Sequence, residues 1–273
     1  MPSFTERFSK LLEERNSILS VGLDTALPEQ RKENVIPLEY LDDDITEGRL
    51  LFCLDFLDEV APNALIAKLN SKYGFGFSIE QHRRLTEHIR KLGLLSVLDD
   101  KLGDIGKSND TGLFWLNKVG YDAVTVNTQA GNLGSMVKTA HGYEPEIGVL
   151  ALNLMSNPES PKYYKRSTLD GKPVYLAIAE DIKETGADGS IVGATGHVKG
   201  YEIEAIRNTI GDDRIIYFPG AGIQGGDDEK AIRHGGWRIA IHFGRIITYS
   251  EDPGKTSKKI NKRLNNLRLR YGR

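Results

Sequence analysis

Residues 63–101, NALIAKLNSKYGFGFSIEQHRRLTEHIRKLGLLSVLDDK, decide the fold. Two short apolar runs, 63–70 and 94–101, flank a segment, 78–92, in which Ile79, Leu85 and other apolar residues follow a helical period. Near-continuous apolar strands separated by a helix are typical of a parallel sheet that is covered on both faces. This stretch therefore predicts one strand–helix–strand unit of an α/β protein.

The same alternation recurs along the chain. Further helices are expected over 173–186 and 201–210, and further strands are expected over 18–24, 123–128, 146–154, 189–195, 215–222 and 238–245. Eight strands with a fairly even repeat favour a (β/α)8 barrel of the TIM type over an open doubly wound sheet.

No linker or change in composition divides the chain, so we expect one domain over residues 1–273. Its parts would be a helix over 4–15, eight β/α units over about 18–250, and a helix over about 255–270. Two long polar connections, 25–44 and 155–172, are of a length that is more often functional than accidental.

Composition and charge exclude several classes of protein. The chain has 273 residues, of which 39% are hydrophobic and 27% charged, and a formal net charge of −2. This balance does not indicate a nucleic-acid or anionic-membrane partner. The carboxyl-terminal stretch KTSKKINKRLNNLRLR is basic, but its isoleucine and leucines recur at helical spacing. An amphipathic helix with a solvated basic face is favoured there over a nucleic-acid-binding tail.

The cysteine content bounds the compartment. Cys53 is the only cysteine and lies in the apolar run LLFCLDFL, so an internal disulfide and a thiolate metal cluster are excluded. We expect a buried structural thiol rather than a nucleophile. The first 17 residues lack the pattern of a signal peptide, and no apolar run approaches membrane-spanning length, so we expect a cytoplasmic protein.

The carboxyl ends of the predicted strands carry polar residues. In a barrel the active site lies at this pole. The residues delivered there are Asp24, Lys68, Asp99, Lys101, Asn127, Ser156, Thr195, 219–222, Gly244 and Arg245. Their convergence at one pole predicts a functional site.

The segment VLDDKLGDIGKSND, 97–110, contains a D-x-K-x-x-D pattern. Asp99 and Lys101 are two residues apart and so point to one face of a strand, Asp104 follows the turn, and Lys68 comes from the neighbouring strand. An ammonium flanked by carboxylates stays protonated and can serve as a positioned proton donor. Taken alone the pattern also fits a solvated turn, but at the end of a central strand it favours chemistry.

A second pair of segments predicts a phosphate site. FPGAGIQGGDD, 218–228, is a glycine-rich loop that opens a helix, and HFGR, 242–245, adds Gly244 and the guanidinium of Arg245. Barrels often bind phosphate between the loops that follow strands seven and eight. Asp24 either accepts a hydrogen bond from a sugar hydroxyl or caps the next turn. The six histidines lack metal-ligand spacing, so no metal site is expected.

Together these motifs resemble the orotidine 5′-phosphate decarboxylase family. The resemblance rests on AKLN (67–70), on D-x-K-x-x-D-I (99–105) with the S-N that follows, on P-G-x-G-x-Q-G-G (219–226) and on the final G-R. It implies a TIM-barrel homodimer that converts orotidine 5′-phosphate (OMP) to UMP and CO2 in pyrimidine biosynthesis. It also implies a reaction that needs neither metal nor organic cofactor.

The resemblance further implies a role for each matching residue. Lys68, Asp99, Lys101 and Asp104 would form a catalytic tetrad in which Lys101 delivers a proton to C6 of the pyrimidine. Asp104 and Ser108 would enter the site of the partner subunit. The remaining substrate-binding residues would be Asp24, Ser156, Thr195, Pro219, Gly220, Gln224, Gly244 and Arg245.

Two alternatives stay open. One is a Mg²⁺-dependent decarboxylase or aldolase of a sugar phosphate, built on the same D-x-K-x-x-D core. Such relatives typically continue with Gly-Gly after the last aspartate, where this chain has Ile105 and Gly106. The other is a non-catalytic barrel that binds a phosphate-bearing ligand and does not require Lys101.

Overall fold

Parallel strands close into a barrel in the computed structural model, which describes residues 1–41, 44–221 and 227–272. Within these ranges the barrel consists of β1 (Leu19–Gly22), β2 (Ile66–Asn70), β3 (Leu95–Leu102), β4 (Ala123–Val126), β5 (Gly148–Leu152), β6 (Gly189–Ile191), β7 (Ile215–Phe218) and β8 (Ile239–Phe243). Each strand pairs with the next one along the chain, and β8 returns to β1. The predicted (β/α)8 barrel is confirmed.

Most strands end earlier than their apolar runs predict. The run 18–24 contains the strand Leu19–Gly22, and the run 215–222 contains Ile215–Phe218, because Leu23 and Pro219 already lie outside the strands at the carboxyl pole. β2 and β3 are the exceptions. β2 ends at Asn70 as its run predicts, and β3 pairs with β4 as far as Leu102 and so carries its charged residues within the strand.

Helices surround the barrel and alternate with its strands. They are α1 (Phe4–Arg15), α2 (Ile45–Val60), α3 (Ile79–Lys91), α4 (Gly106–Val119), α5 (Leu133–His141), α6 (Ser160–Tyr164), α7 (Val174–Thr185), α8 (Gly200–Ile210), α9 (Asp228–Gly235), α10 (Arg245–Thr248) and α11 (Pro253–Arg270). The helices predicted over 78–92, 173–186 and 201–210 agree with the observed bounds to within one residue at each end. α11 buries Ile260, Leu264 and Leu267, as its helical spacing predicts.

Helix α1 covers the amino-terminal pole of the barrel. Its apolar face, formed by Phe4, Phe8 and Leu12, is fully buried. Arg7 fixes it there, because its guanidinium pairs with Asp122 and donates to the carbonyl oxygen of Glu146 at 2.7 Å, just before β4 and β5. With this pole closed, the barrel opens only toward the carboxyl ends of its strands.

Burial keeps the thiol of the single cysteine protonated. Cys53 lies in α2, fully buried, and this burial raises the pKa of its thiol to about 12. The expected structural thiol is therefore confirmed. A search of the described helices found none long and apolar enough to span a membrane.

Candidate active site

A cavity of about 290 Å³ opens at the carboxyl pole of the barrel. Its wall includes predicted site residues from five strands and their loops, namely Asp24, Lys68, Asp99, Lys101, Ser156, Pro219 and Gly220. The described part of the wall also includes residues that were not predicted, namely Asn70, Thr125, Leu152, Met155, Ile191, Tyr217 and His242. The cavity therefore combines a charged side, formed by β2 and β3, with an apolar side, formed by β5 and β6.

The charged side is a chain of three side chains. The ammonium of Lys68 donates to Oδ2 of Asp99 at 2.9 Å, and the ammonium of Lys101 donates to Oδ1 at 2.7 Å. The exposed fractions of the side chains are 6% for Lys68, 16% for Asp99 and 37% for Lys101. Lys68 is thus enclosed by the barrel, whereas Lys101 reaches into the open cavity.

These contacts fix the charge of the buried groups. Burial alone would raise the pKa of Asp99, but the two ammonium groups hold it well below its ordinary value. Burial would lower the pKa of Lys68, but the carboxylates of Asp99 and Asp24 raise it above the ordinary value. Both groups are therefore ionised at neutral pH.

The backbone of β3 is irregular at this point. Lys101 has a φ of 60°, in the left-handed region, and the register between β3 and β4 shifts between Leu98 and Leu102. A left-handed conformation costs a lysine roughly 1–2 kcal/mol, so neighbouring contacts must stabilise it. Asp99 and Lys101 meet as predicted, but through this irregularity rather than through regular strand alternation.

Thr125 of β4 provides those contacts. Its hydroxyl accepts a hydrogen bond from the backbone N–H of Lys101 at 3.0 Å and donates to Oδ1 of Asp99 at 3.0 Å. One hydroxyl thus holds both the unusual backbone of the lysine and the carboxylate that orients its ammonium. The signal in the sequence that could have identified Thr125 is that it is the single polar residue in the apolar run AVTV, 123–126.

Asp24 presents an unused acceptor. Its backbone oxygen accepts from the hydroxyl of Tyr249 at 2.6 Å, but its Oδ1 is buried and has no hydrogen-bond partner in the described part of the chain. A buried carboxylate oxygen without a donor is costly. This geometry favours a ligand hydroxyl over a turn cap as the intended partner.

Of the predicted phosphate residues, Pro219 and Gly220 line the cavity, and Gly244 and Arg245 follow β8 at the same pole. Gly220 has a φ of 92° and follows Pro219 beyond β7. Gly244 precedes α10, and the guanidinium of Arg245 makes no hydrogen bond or ion pair with any residue described. Gln224 lies outside the described residues.

Two predicted residues lie away from the cavity in this chain. Asp104 is exposed, and its carboxylate accepts from the backbone N–H of Ile105 at 2.7 Å. Ser108 is exposed in the first turn of α4. One chain therefore brings together Lys68, Asp99 and Lys101, but not the fourth member of the predicted tetrad.

The loop 155–172 borders the cavity through Ser156 and is tied to α8. The ammonium of Lys165 binds Oε2 of the buried Glu202 at 2.6 Å. Thr195 does not line the cavity. Its hydroxyl lies 3.1 Å from Nδ1 of His197, whose Nε2 lies 3.0 Å from the backbone oxygen of Met155.

The fold and this cavity define a class of protein, the (β/α)8 barrels with a lysine–aspartate–lysine site at the carboxyl pole. Comparison with known proteins then identifies the family. A family model described as "Orotidine 5′-phosphate decarboxylase / HUMPS family" matches residues 48–260. The chain belongs to this family.

Individual relatives agree with the family assignment. A protein of Cupriavidus taiwanensis named orotidine 5′-phosphate decarboxylase is 31% identical over 261 residues, covering 91% of this chain and 90% of its own length. A protein of the same name from Bordetella pertussis is 30% identical over 260 residues, with 91% and 90% covered. The crystal structure of the Plasmodium berghei orotidine 5′-monophosphate decarboxylase has a TM-score of 0.80 and 21% identity, and covers 99% of this chain and 100% of that one. This last likeness shows the fold.

We expect Thr125→Val to affect stability and the site together. Valine has the same shape but lacks the hydroxyl, so the N–H of Lys101 and Oδ1 of Asp99 each lose a partner. The free energy of unfolding should fall by about 1–3 kcal/mol, as measured by denaturant titration. A matched control is Thr185→Val, which removes an exposed helix hydroxyl that donates to the backbone oxygen of Asp181. This change should alter the free energy of unfolding by less than about 0.5 kcal/mol. Equal effects of the two changes would contradict this role of Thr125.

Proposed function

We propose that this protein is an orotidine 5′-phosphate decarboxylase that produces UMP and CO2 in pyrimidine biosynthesis. The observation that carries the proposal is the ammonium of Lys101, held at 2.7 Å by an ionised Asp99 while it reaches into the cavity. The names of relatives that are 30–31% identical over nine-tenths of the chain support the same activity. A cytoplasmic location stays a prediction from the single cysteine.

The chemistry requires a positive charge at one carbon. When the bond between C6 and the carboxylate breaks, CO2 leaves and the electron pair remains on C6, in the plane of the ring, where the π system cannot delocalise it. Fixed positive charge beside C6 stabilises this pair. In our proposal Lys101 supplies that charge and then its proton, which forms the new C6–H bond, and it regains a proton from solvent.

The other groups would bind and orient the substrate. Asp24, whose Oδ1 has no partner among the described residues, would accept a hydrogen bond from a ribose hydroxyl. The guanidinium of Arg245, which likewise has none there, would pair with the 5′-phosphate. Ser156 and Thr195 would bind the pyrimidine. Phosphate contacts remote from C6 would contribute binding energy that holds the reacting carbon against Lys101.

We further infer that the active unit is a homodimer. Asp104 and Ser108 are exposed and do not line the cavity of their own chain, which fits a role in the partner subunit's site. On the same helix and its preceding residue, Ile105, Phe114 and Trp115 have exposed fractions of 69%, 41% and 47%. Exposed apolar side chains around a charged edge are typical of a surface that another subunit covers.

The first test follows the ultraviolet absorbance of OMP in the presence of EDTA. We expect turnover at an unchanged rate, because no step of the proposed reaction uses a metal. Turnover that requires Mg²⁺, or activity on a sugar phosphate instead, would favour the alternative barrel enzyme. Binding of UMP without any turnover of OMP would favour a non-catalytic barrel.

Two substitutions should separate chemistry from binding. Lys101→Ala should abolish turnover while the fold and the affinity for UMP stay close to wild type, since it removes the proton donor alone. Arg245→Ala should mainly raise KM, because it removes a phosphate contact formed equally in the ground state and the transition state. A near-normal rate for Lys101→Ala, or an effect of Arg245→Ala on kcat alone, would contradict these roles.

Mixing two inactive variants tests the shared site. Lys101→Ala and Asp104→Ala should each be inactive as homodimers. A mixed dimer has one site with both changes and one with neither, so an equal mixture after subunit exchange should regain about a quarter of the wild-type sites. Failure to regain activity, with mixed dimers shown by mass spectrometry, would place Asp104 outside the partner's site.

A further inference from the structure

Three polar side chains meet inside the barrel, at the floor of the cavity. Ser20 of β1 and His242 of β8 lie directly opposite each other in the strand pairing, and Tyr217 comes from β7. The hydroxyls of Ser20 and Tyr217 are 2.6 Å apart, and Nδ1 of His242 lies 3.2 Å from the first and 3.1 Å from the second. Their exposed fractions are 0%, 9% and 1% for Ser20, His242 and Tyr217.

The other edge of the His242 ring faces the cavity. His242 and Tyr217 both belong to the cavity wall, and Nε2 has no hydrogen-bond partner in the part of the chain that the structure describes. Glycine at position 22 leaves room for the ring, since a Cβ there would lie 3.3 Å from Nε2 and 3.1 Å from Cε1. The sequence thus keeps this nitrogen clear of neighbouring side chains.

Counting donors fixes the tautomer of the ring. The two hydroxyls supply two hydrogens, and one of them can bond to Nδ1 while the other bonds to the remaining hydroxyl. A hydrogen on Nδ1 would add a third donor to the same three contacts and would leave one buried hydroxyl without an acceptor. These contacts favour the tautomer of His242 that carries its hydrogen on Nε2, toward the cavity.

The surroundings also keep the ring neutral. Burial, followed by the positive charge of Lys68, lowers the pKa of His242 well below its ordinary value, and the smaller effect of Asp99 opposes this only in part. A neutral imidazole with a fixed Nε2–H is a hydrogen-bond donor that does not add another cation beside Lys68 and Lys101.

We propose that Nε2–H of His242 donates a hydrogen bond to an oxygen at the pyrimidine end of the bound nucleotide, and that Ser20 and Tyr217 are positioning residues that hold this tautomer. The inference rests on the proposed function for the identity of the ligand. Tyr217 and His242 lie within β7 and β8, below the loops that begin at Pro219 and Gly244. If the phosphate of a ligand lies at those loops, the part of the ligand that enters the barrel most deeply reaches His242.

The first experiment compares His242→Leu with His242→Gln. Leucine removes the donor, so the Kd of UMP or the KM of OMP should rise by about tenfold, the effect of one lost hydrogen bond. The Kd of ribose 5-phosphate, which lacks the pyrimidine, should stay unchanged. Glutamine carries an amide N–H at a similar reach and should recover most of the affinity.

The ligand series assigns the contacted oxygen. A change in the Kd of UMP identifies a ring oxygen, whereas a change confined to the KM of OMP identifies the carboxylate that UMP lacks. Both results support the proposal. Equal losses for UMP and ribose 5-phosphate, or no change for any ligand with His242→Leu, would overturn it.

Nitrogen-15 NMR of the histidines tests the positioning residues in the wild-type protein. The His242 signals should show a neutral Nε2–H tautomer, with Nε2 shifting when UMP binds. The double variant Ser20→Ala, Tyr217→Phe should lose this single tautomer and show the raised Kd for UMP. A matched control is Ser190→Ala, which removes another fully buried hydroxyl, one without a hydrogen-bond partner in the described ranges, and should leave both readouts unchanged.

Two outcomes keep the inference separate from the proposed activity. An Nδ1–H tautomer in the wild type, or an Nε2 signal that UMP does not move, overturns the role of His242 whatever the enzyme catalyses. A wild-type protein that binds UMP through His242 but does not convert OMP contradicts the proposed reaction alone.

Discussion

The pairing of one carboxylate with two ammonium groups is the constraint on which the site depends. Lys68 lies inside the barrel with 6% of its side chain exposed, a position where an isolated charge would be very unfavourable. Asp99 neutralises it and at the same time aims Lys101 into the cavity. Removing the carboxylate would take this partner from the buried ammonium of Lys68, whereas removing Lys101 would leave the buried Lys68–Asp99 pair in place.

The group formed by Lys68, Asp99 and Lys101 is accompanied by a local distortion of the barrel. Lys101 adopts a left-handed backbone conformation, and β3 shifts its register against β4 to allow it. Thr125 stabilises both features with one hydroxyl. Strained residues persist where the surrounding structure determines their position, and eight hydrogen-bonded strands, closed at the opposite pole by α1, provide such a frame.

Part of the candidate site was predicted from the sequence, and there is a physical reason why some residues were identified and others were missed. Asp24, Lys68 and Asp99 were identified because a charged residue at the end of an apolar strand is conspicuous in the sequence. Thr125, Ser20 and Tyr217 were missed because a hydroxyl inside an apolar strand resembles ordinary core residues. Their roles depend on which strands lie side by side and on distances of about 3 Å that no spacing rule encodes.

Periodicity and strand-end chemistry, both local properties, determined the barrel, the pole that carries the site and half of the described residues of its wall. The tertiary structure alone decided that Lys101 reaches Asp99 through a left-handed backbone, that Asp104 lies outside the cavity of its own chain, and that His242 turns one nitrogen toward two buried hydroxyls and the other toward the ligand space. The order of the strands follows from the alternation of strands and helices along the chain. The hydrogen bonds between side chains depend instead on which side chains the closed barrel brings together. That is why the sequence alone identified the charged residues of the site and left its geometry open.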